Sequence, residues 1–150
     1  MLERDGKFIK NDPNIMKHVY RINLKDATNL EDIETQGDLV QDPQLGLTIQ
    51  GETLEQYFIN HDKKWEALQA LNIQPVSKTL MLDMGKRVGY AHDKMEGLWL
   101  INQQTLGILN DDDMGLWTTN GLEQKYLDHV RMRIDTPTLY IADQLNLFNP

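Results

Sequence analysis

The sequence predicts a mainly β protein with one helical segment. From residue 78 onward, short apolar runs follow one another and turn-forming residues separate them, as in a sandwich, a barrel or a propeller. Residues 17–24 alternate between two sets of side chains, which is typical of a half-buried strand. Residues 53–71 instead carry apolar side chains at helical spacing, so we expect a helix among the strands.

Turn chemistry limits the predicted strands in the second half of the chain. Asn, Asp, Gly and Pro occur at residues 110–113, 120–121 and 135–137, and a polar turn occupies residues 102–104. We expect the runs on either side of 102–104 to form a hairpin. The predicted strands comprise residues 79–82, 97–101, 105–109, 116–118, 130–134 and 138–141.

The helical segment is expected to begin at Thr53, where Thr53 and Gln56 have the spacing of a capping box, and to break near Asn60. The polar, acidic residues 25–50 contain Asp-Pro and Gly, and their pattern indicates mostly loop. We therefore expect a single domain or fragment over residues 1–150, with a loop and helix insertion at about residues 25–74.

Composition narrows the classes of function. Lys and Arg total 15 against 23 Asp and Glu, and a net charge of -8 disfavours nucleic-acid binding. The absence of cysteine excludes disulfides and thiolate metal sites. No apolar stretch reaches the roughly 18 residues of a membrane span, so no membrane insertion is expected. The first residues are charged and include no apolar core, so no signal peptide is expected in them, and the compartment stays open.

Two segments are dense in functional groups: HDKMEG at residues 92–97 and NDDDMG at residues 110–115. They flank the predicted hairpin, so its open end brings both together. The carboxylates expected to converge there are those of Asp93, Glu96, Asp111 and Asp113. Four close carboxylates repel one another and must bind a cation, take up protons or spread into water. A hard cation such as Ca²⁺ suits them. The alternative interpretation is a plain Asp-rich turn.

Other chemistries are less compatible with the sequence. An EF-hand loop beginning at Asp111 would need Gly and Glu where Leu116 and Leu122 stand. Ser77 is the only serine, which disfavours a serine-nucleophile esterase. The histidines lack zinc-site spacing. His92 is expected to be a surface loop residue, with a proton shuttle as the alternative.

Five stretches occur in order along nearly the whole chain: LERD (2–5), VYRINL with DAT (19–24 and 26–28), PVSKTL (75–80), DKMEG (93–97) and NDDDMG (110–115). Together they resemble the phytase-like family, which carries the esterase-like activity of phytase. Asp112 and Met114 stand where that family usually has Asn and Phe, and neither difference removes a carboxylate.

The resemblance implies a β-propeller of which this chain is the C-terminal portion, with about two four-stranded antiparallel blades. A partial propeller leaves edges and apolar faces uncovered, so self-association or pairing with the missing blades is expected. A small independent α+β domain is the alternative fold. Members of the family are often exported.

The resemblance also implies a phosphoester hydrolase in which Ca²⁺ neutralises the carboxylates and the substrate phosphate and polarises a water molecule. The catalytic candidates are Glu96, Asp93 and Lys94, and the calcium ligands are Glu96 and Asp111 first, then Asp93 and Asp113. The alternative is a non-catalytic truncated remnant or a binding and self-association module, because the fragment alone lacks most of a propeller.

Overall fold

The structure, a computed structural model, describes residues 1–148 and divides the chain into two compact units. Unit 1 comprises Met1–Ile22 with the chain from Lys78 onward, and unit 2 comprises Asn23–Ser77. The described residues are mainly β, with several small antiparallel sheets and three helices. The mainly β class is therefore confirmed, whereas the single helical segment becomes three helices.

The strands lie in both units. In chain order they are β1 (Leu2–Arg4), β2 (Lys17–Asn23), β3 (Leu39–Asp42), β4 (Gly46–Ile49), β5 (Glu52–Thr53), β6 (Ser77–Asp83), β7 (Gly97–Asn102), β8 (Thr105–Leu109), β9 (Leu116–Trp117), β10 (Glu123–Gln124) and β11 (Leu139–Ala142). The helices are α1 (Leu54–Asn60), α2 (Lys64–Ala70) and α3 (Met84–Val88).

Within residues 1–148 the sheets are small. Three of them have three strands, in the orders β1-β2-β6, β3-β4-β5 and β11-β8-β7, and β9 pairs with β10 alone. This part of the chain shows no closed barrel or propeller and no four-stranded sheet. None of its helices is long and apolar enough to cross a membrane.

Unit 1 has its own core, to which β2 contributes the opposite side of the one that its apolar alternation favours. Val19 of β2 is buried and Ile108 of β8 is completely enclosed, whereas Ile22 and Leu24 are exposed. Burial of such side chains contributes about 1.5–3 kcal/mol each. The main core cluster comprises Ile15, Val19, Leu82, Met84, Tyr90, Met95, Leu106, Ile108, Ala142, Leu145 and Leu147.

The predicted hairpin of β7 and β8 is confirmed, and it fixes the position of the two polar segments. The strands pair antiparallel, with Gly97 opposite Leu109 at the open end. Glycine is required there because a Cβ on Gly97 would lie 2.7 Å from the Cβ of Leu109. The assigned strands end at this pair, and the polar segments lie next to it.

Unit 2 adds a hairpin of β3 and β4 to residues 25–50, which outside these two strands are mostly turn and loop as the sequence predicts. Its turn is made by the residues that suggested a loop: Asp42 Oδ1 accepts hydrogen bonds from the N–H groups of Gln44 and Leu45, and Gly46 has a φ of 73°. Leu39, Leu47 and Ile49 face a separate core with residues of α1 and α2.

The helical prediction for unit 2 is confirmed at its start and at its break. The hydroxyl of Thr53 accepts from the N–H of Gln56, and the Gln56 side chain accepts from the N–H of Thr53. Helix α1 ends at Asn60, and α2 starts at Lys64. The third helix, α3, was not predicted, and it starts where Asp83 Oδ1 accepts from Lys86 N–H.

The strand predicted over residues 130–134 is wrong. The carboxylate of Asp128 accepts hydrogen bonds from the N–H groups of Met132 and Arg133, and Arg131 has a φ of 58°. These contacts close the segment into a turn, so its N–H groups are not available to a sheet. Val130 and Met132 remain exposed.

Candidate functional site

The open end of the β7–β8 hairpin holds two polar segments next to each other. The N–H of Glu96 donates to the carbonyl of Leu109 at 3.1 Å and continues the strand pairing by one step. Asp93 and Lys94 therefore precede one strand, and Asp111 follows the other, at the same end of the sheet.

Five side chains form what we call the lysine–aspartate cluster: Asp93, Lys94, Asp111, Asp113 and Lys125. Lys94 Nζ lies 3.2 Å from Asp111 Oδ2 and 2.5 Å from Asp113 Oδ1. Lys125 Nζ donates to Asp113 Oδ2 and lies 3.3 Å from Asp93 Oδ2. The carboxylate of Asp113 thus bridges the two ammonium groups, and the cluster is continuous.

The cluster has an enclosed half and an open half. The side chain of Lys125 is fully buried, with Nζ 4.5 Å from the centre of the Trp117 ring, and Asp93 is buried beside it. Lys94 and Asp111 retain 27% and 44% of their side-chain exposure, so solvent reaches this half. Only the open half is directly accessible to a ligand.

Ion pairing sets the protonation of the cluster. The hydrogen bond from Lys125, and then that from Lys94, lowers the pKa of Asp113. The pKa of Asp111 is lowered by the N–H of Asp113 and then by Lys94, while the bond to Asp113 raises the pKa of Lys94. Burial alone would lower the pKa of Lys125, but its bond to Asp113 and the charge of Asp93 outweigh burial and raise it. Both lysines are therefore cationic at neutral pH.

The loop that carries Asp113 is conformationally strained. Asp113, Met114 and Gly115 have φ values of 49°, 58° and 69° in succession. The carboxylates of Asp111 and Asp112 accept from the N–H groups of Asp113 and Met114 and support this conformation. Glycine is required at 115, since a Cβ there would lie 2.9 Å from the carbonyl oxygen of Asp135. Strain of this kind often occurs at functional sites.

Glu96 stands apart from the cluster. Its carboxylate pairs with the guanidinium of Arg4, at the end of β1, and keeps 44% of its side-chain exposure. The described contacts therefore unite Asp93, Lys94, Asp111 and Asp113 of the predicted set, whereas Glu96 belongs to a neighbouring ion pair.

A second polar group, which we call the histidine network, lies in the interior: His92, Asn110, Asp135 and Tyr140. His92 is 1% exposed, so its expected position in a surface loop is wrong. Its Nδ1 lies 2.6 Å from Asp135 Oδ1, and its Nε2 lies 3.1 Å from the Tyr140 hydroxyl. No sequence motif marks Asp135, Tyr140 or Lys125, and only the fold brings them to the hairpin.

The cluster, as it stands, does not form a cage for calcium. Within residues 1–148 there is no group of three or more His, Asp or Glu side chains that can hold a metal ion. Each carboxylate of the cluster already has a lysine ammonium group as partner. Calcium binding, which the resemblance implies, therefore stays a prediction.

Comparison with known proteins gives one finding. A family model described as phytase-like, esterase-like activity of phytase, matches residues 1–114. The match includes the β7–β8 hairpin and the loop to Met114, whereas Lys125, Asp135 and Tyr140 lie beyond it. No curated protein and no solved structure matched the chain.

Proposed function

The chain belongs to the phytase-like family, and on this premise we propose that it is part of a phosphoester hydrolase whose substrate-facing group is the lysine–aspartate cluster. The observation that carries the proposal is the half-open ion-pair network beside a strained loop. A shared fold does not establish a shared activity, so the phosphoester hydrolysis proposed here has to be supported by the residues of this chain.

Lys94 is the group proposed to bind phosphate. Its ammonium group offers three donors on a flexible stem, and it is accessible to solvent where Lys125 is enclosed. A phosphate oxygen would compete with Asp111 and Asp113 for these donors. The buried pair of Lys125 and Asp93 would keep the base of the site in place while Lys94 changes partner.

The carboxylate of Asp111, freed from Lys94, and that of Asp113, which keeps its bond to Lys125, are proposed to orient a water molecule and accept its proton as its oxygen attacks phosphorus. The ester P–O bond then breaks, and the leaving alkoxide takes a proton from solvent. Asp93 is proposed as a supporting charge in the enclosed half. Glu96 remains a catalytic and ligand candidate from the sequence, although its described partner is Arg4.

Hydrolysis of p-nitrophenyl phosphate, with p-nitrophenyl acetate as a carboxyl-ester comparison, tests the proposal. We expect Lys94→Ala to reduce phosphatase turnover by at least about tenfold, whereas Lys86→Ala, which removes a lysine that is 89% exposed, leaves it unchanged. Assays with added calcium or with a chelator, together with calorimetric calcium titration, test the metal. Equal turnover in Lys94→Ala and the wild type would remove the cluster from the mechanism, and Glu96→Ala would then identify the alternative site.

The sheets are further proposed to be parts of propeller blades, which the family resemblance implies. Support comes from the three-stranded sheet β11-β8-β7, whose outer face is apolar and uncovered. In the strand register, Leu139 lies opposite Leu109, and both Ile141 and Trp99 lie opposite Gly107, so these side chains share one face. Trp99 is 60% exposed there. In a propeller such a face packs against the next blade.

This exposed face also favours a second candidate function, a non-catalytic module that self-associates or pairs with further propeller blades. A contiguous apolar patch on a soluble protein usually marks an interaction surface. Sedimentation velocity at micromolar concentration is expected to show particles larger than the monomer. Trp99→Lys should shift them to the monomer, whereas Trp65→Lys, at a half-exposed tryptophan of unit 2, should not. A wild type that is monomeric throughout would contradict this candidate.

A further inference from the structure

Asp135 is a buried carboxylate that lies behind the lysine–aspartate cluster. It is 1% exposed, and its Oδ1 is shared by two neighbours: His92 Nδ1 at 2.6 Å and Asn110 Nδ2 at 3.3 Å. His92 directly precedes Asp93 and Lys94 in the chain, and Asn110 directly precedes Asp111. A single carboxylate oxygen therefore contacts the first residue of each polar segment, His92 and Asn110.

The orientation of each partner follows from its other contacts. Asn110 Oδ1 accepts from the N–H of Thr138 at 2.6 Å, so its amide nitrogen faces Asp135 and the carbonyl of Thr136. Because a carboxylate only accepts, the proton in the short contact between His92 and Asp135 belongs to Nδ1 of the ring. Burial raises the pKa of Tyr140, so its hydroxyl stays protonated beside His92 Nε2.

The main chain of Asp135 reaches the remaining segments. Its N–H donates to the carbonyl of Lys125 at 3.0 Å, and the N–H of Lys125 donates to the carbonyl of Gly115 at 2.7 Å. The carbonyl oxygen of Asp135 also lies against Gly115, where there is no room for a Cβ. Asp135 is thus tied to the segments that carry all five members of the cluster.

We infer that Asp135 is a positioning residue: it touches no member of the cluster through its side chain, yet it sets their relative geometry. The inference rests on the proposed function for its catalytic meaning, but its geometric part is independent of that function. Alanine at 135 removes the acceptor shared by His92 and Asn110. Asparagine at 135 retains an acceptor oxygen at the position of Oδ1 and places its amide where Oδ2 has no hydrogen-bond partner.

The test compares Asp135→Ala, Asp135→Asn and the control Tyr140→Phe, which leaves both bonds to Asp135 Oδ1 in place. The readout is the exchange of the Lys125 ammonium protons with solvent, followed by side-chain ¹H–¹⁵N NMR on the full chain. Loss of a charged hydrogen bond corresponds to about tenfold in an equilibrium, so we expect about tenfold faster exchange in Asp135→Ala. Asp135→Asn should restore the slow rate, and Tyr140→Phe should retain it.

The outcomes separate this inference from the proposed function. Wild-type exchange in a folded Asp135→Ala protein would overturn it, whatever the phosphatase result. Altered exchange with no hydrolysis even in the wild type would support the geometric role and reject the proposed function. If hydrolysis is present, we expect Asp135→Ala to lower kcat more than it changes KM, with recovery in Asp135→Asn.

If Asp135→Ala does not fold, Asn110→Ala tests the inference instead, because it removes only one of the two hydrogen bonds to the Asp135 carboxylate and leaves that of His92 in place. A folded Asn110→Ala protein should then show faster exchange of the Lys94 ammonium protons. Unchanged Lys94 exchange would overturn the inference. Failure of both alanine variants to fold would overturn it as well, since the network would then determine the fold and not the geometry of the cluster.

Discussion

Replacing Lys125 by methionine isolates the energetic contribution of the buried half of the cluster. Methionine retains most of the side-chain volume and can pack on Trp117, so little packing is lost. What is lost is the ammonium group that lies 3.3 Å from Asp93. The side chain of Asp93 is only 6% exposed, and its Oδ1 is buried without a hydrogen-bond partner in the described structure, so solvent does not replace the lysine.

The expected destabilisation follows from two independent estimates. Removing one member of a buried ion pair typically costs about 3–5 kcal/mol. An unpaired aspartate can instead take up a proton, and protonating an ordinary aspartate at pH 7 costs about 4 kcal/mol. The second value is an upper limit, so the two estimates agree on about 3–4 kcal/mol. That is a large fraction of the roughly 5–15 kcal/mol that stabilises a domain.

Urea unfolding followed by tryptophan fluorescence measures this change. A Trp65→Phe background restricts the signal to unit 1, because Trp99 and Trp117 then remain. Lys94→Met is the matched control, and we expect it to cost at most about 1 kcal/mol because Lys94 is partly exposed. Adding Asp93→Asn to Lys125→Met should recover most of the loss. Equal unfolding midpoints for Lys125→Met and Lys94→Met would refute the assignment of Lys125 and Asp93 as a buried pair.

Two further predictions concern stability. Lys125 and Lys94 lower the pKa of Asp113 in the folded protein. The ionised Asp113 therefore stabilises the fold above its unfolded pKa of about 3.9, and this contribution is lost as the pH falls through the lower folded pKa. The urea midpoint should drop below pH 4, and it should drop less in Asp113→Asn. Gly97→Ala should destabilise by about 1–3 kcal/mol because its Cβ would lie 2.7 Å from that of Leu109, whereas Gly6→Ala, with no neighbour within 4 Å, should leave the thermal midpoint nearly unchanged.

The strands that could be predicted from the sequence are those whose signals are local. The runs around β7 and β8 are apolar, and the polar turn between them allows only a short connection, so their pairing follows from neighbouring residues. The β3–β4 hairpin was missed because Asp42 and Gly46 mark a turn equally well inside a hairpin and inside a loop. The strand predicted over residues 130–134 is wrong for a related reason: the carboxylate of Asp128 competes for backbone N–H groups that a strand would use.

The residues of the candidate site also divide into those that a local sequence signal brings together and those that only the fold brings together. Asp93, Lys94, Asp111 and Asp113 could be placed together because one hairpin carries them all. Lys125 and Asp135 come from segments outside the hairpin, and no local signal connects them with it. Glu96 was grouped with the other carboxylates by proximity in sequence, but Arg4 of β1 lies beside it in space.

The lysines change how the charge of this site is understood. Three carboxylates need compensation, and the sequence suggested an external cation, protons or water for it. Two ammonium groups of the chain supply most of it, which leaves a net charge of three minus two, or one negative charge. A calcium ion can therefore gain Asp111 and Asp113 only in competition with Lys94, because Lys125 is enclosed. If the site depends on calcium, Lys94→Ala should strengthen calcium binding and should not lower phosphatase activity. If Lys94 itself holds the substrate, the same substitution should weaken phosphate binding and lower phosphatase activity. The calcium titration and the phosphatase assay of this variant therefore distinguish a metal-dependent site from one that depends on its own lysine.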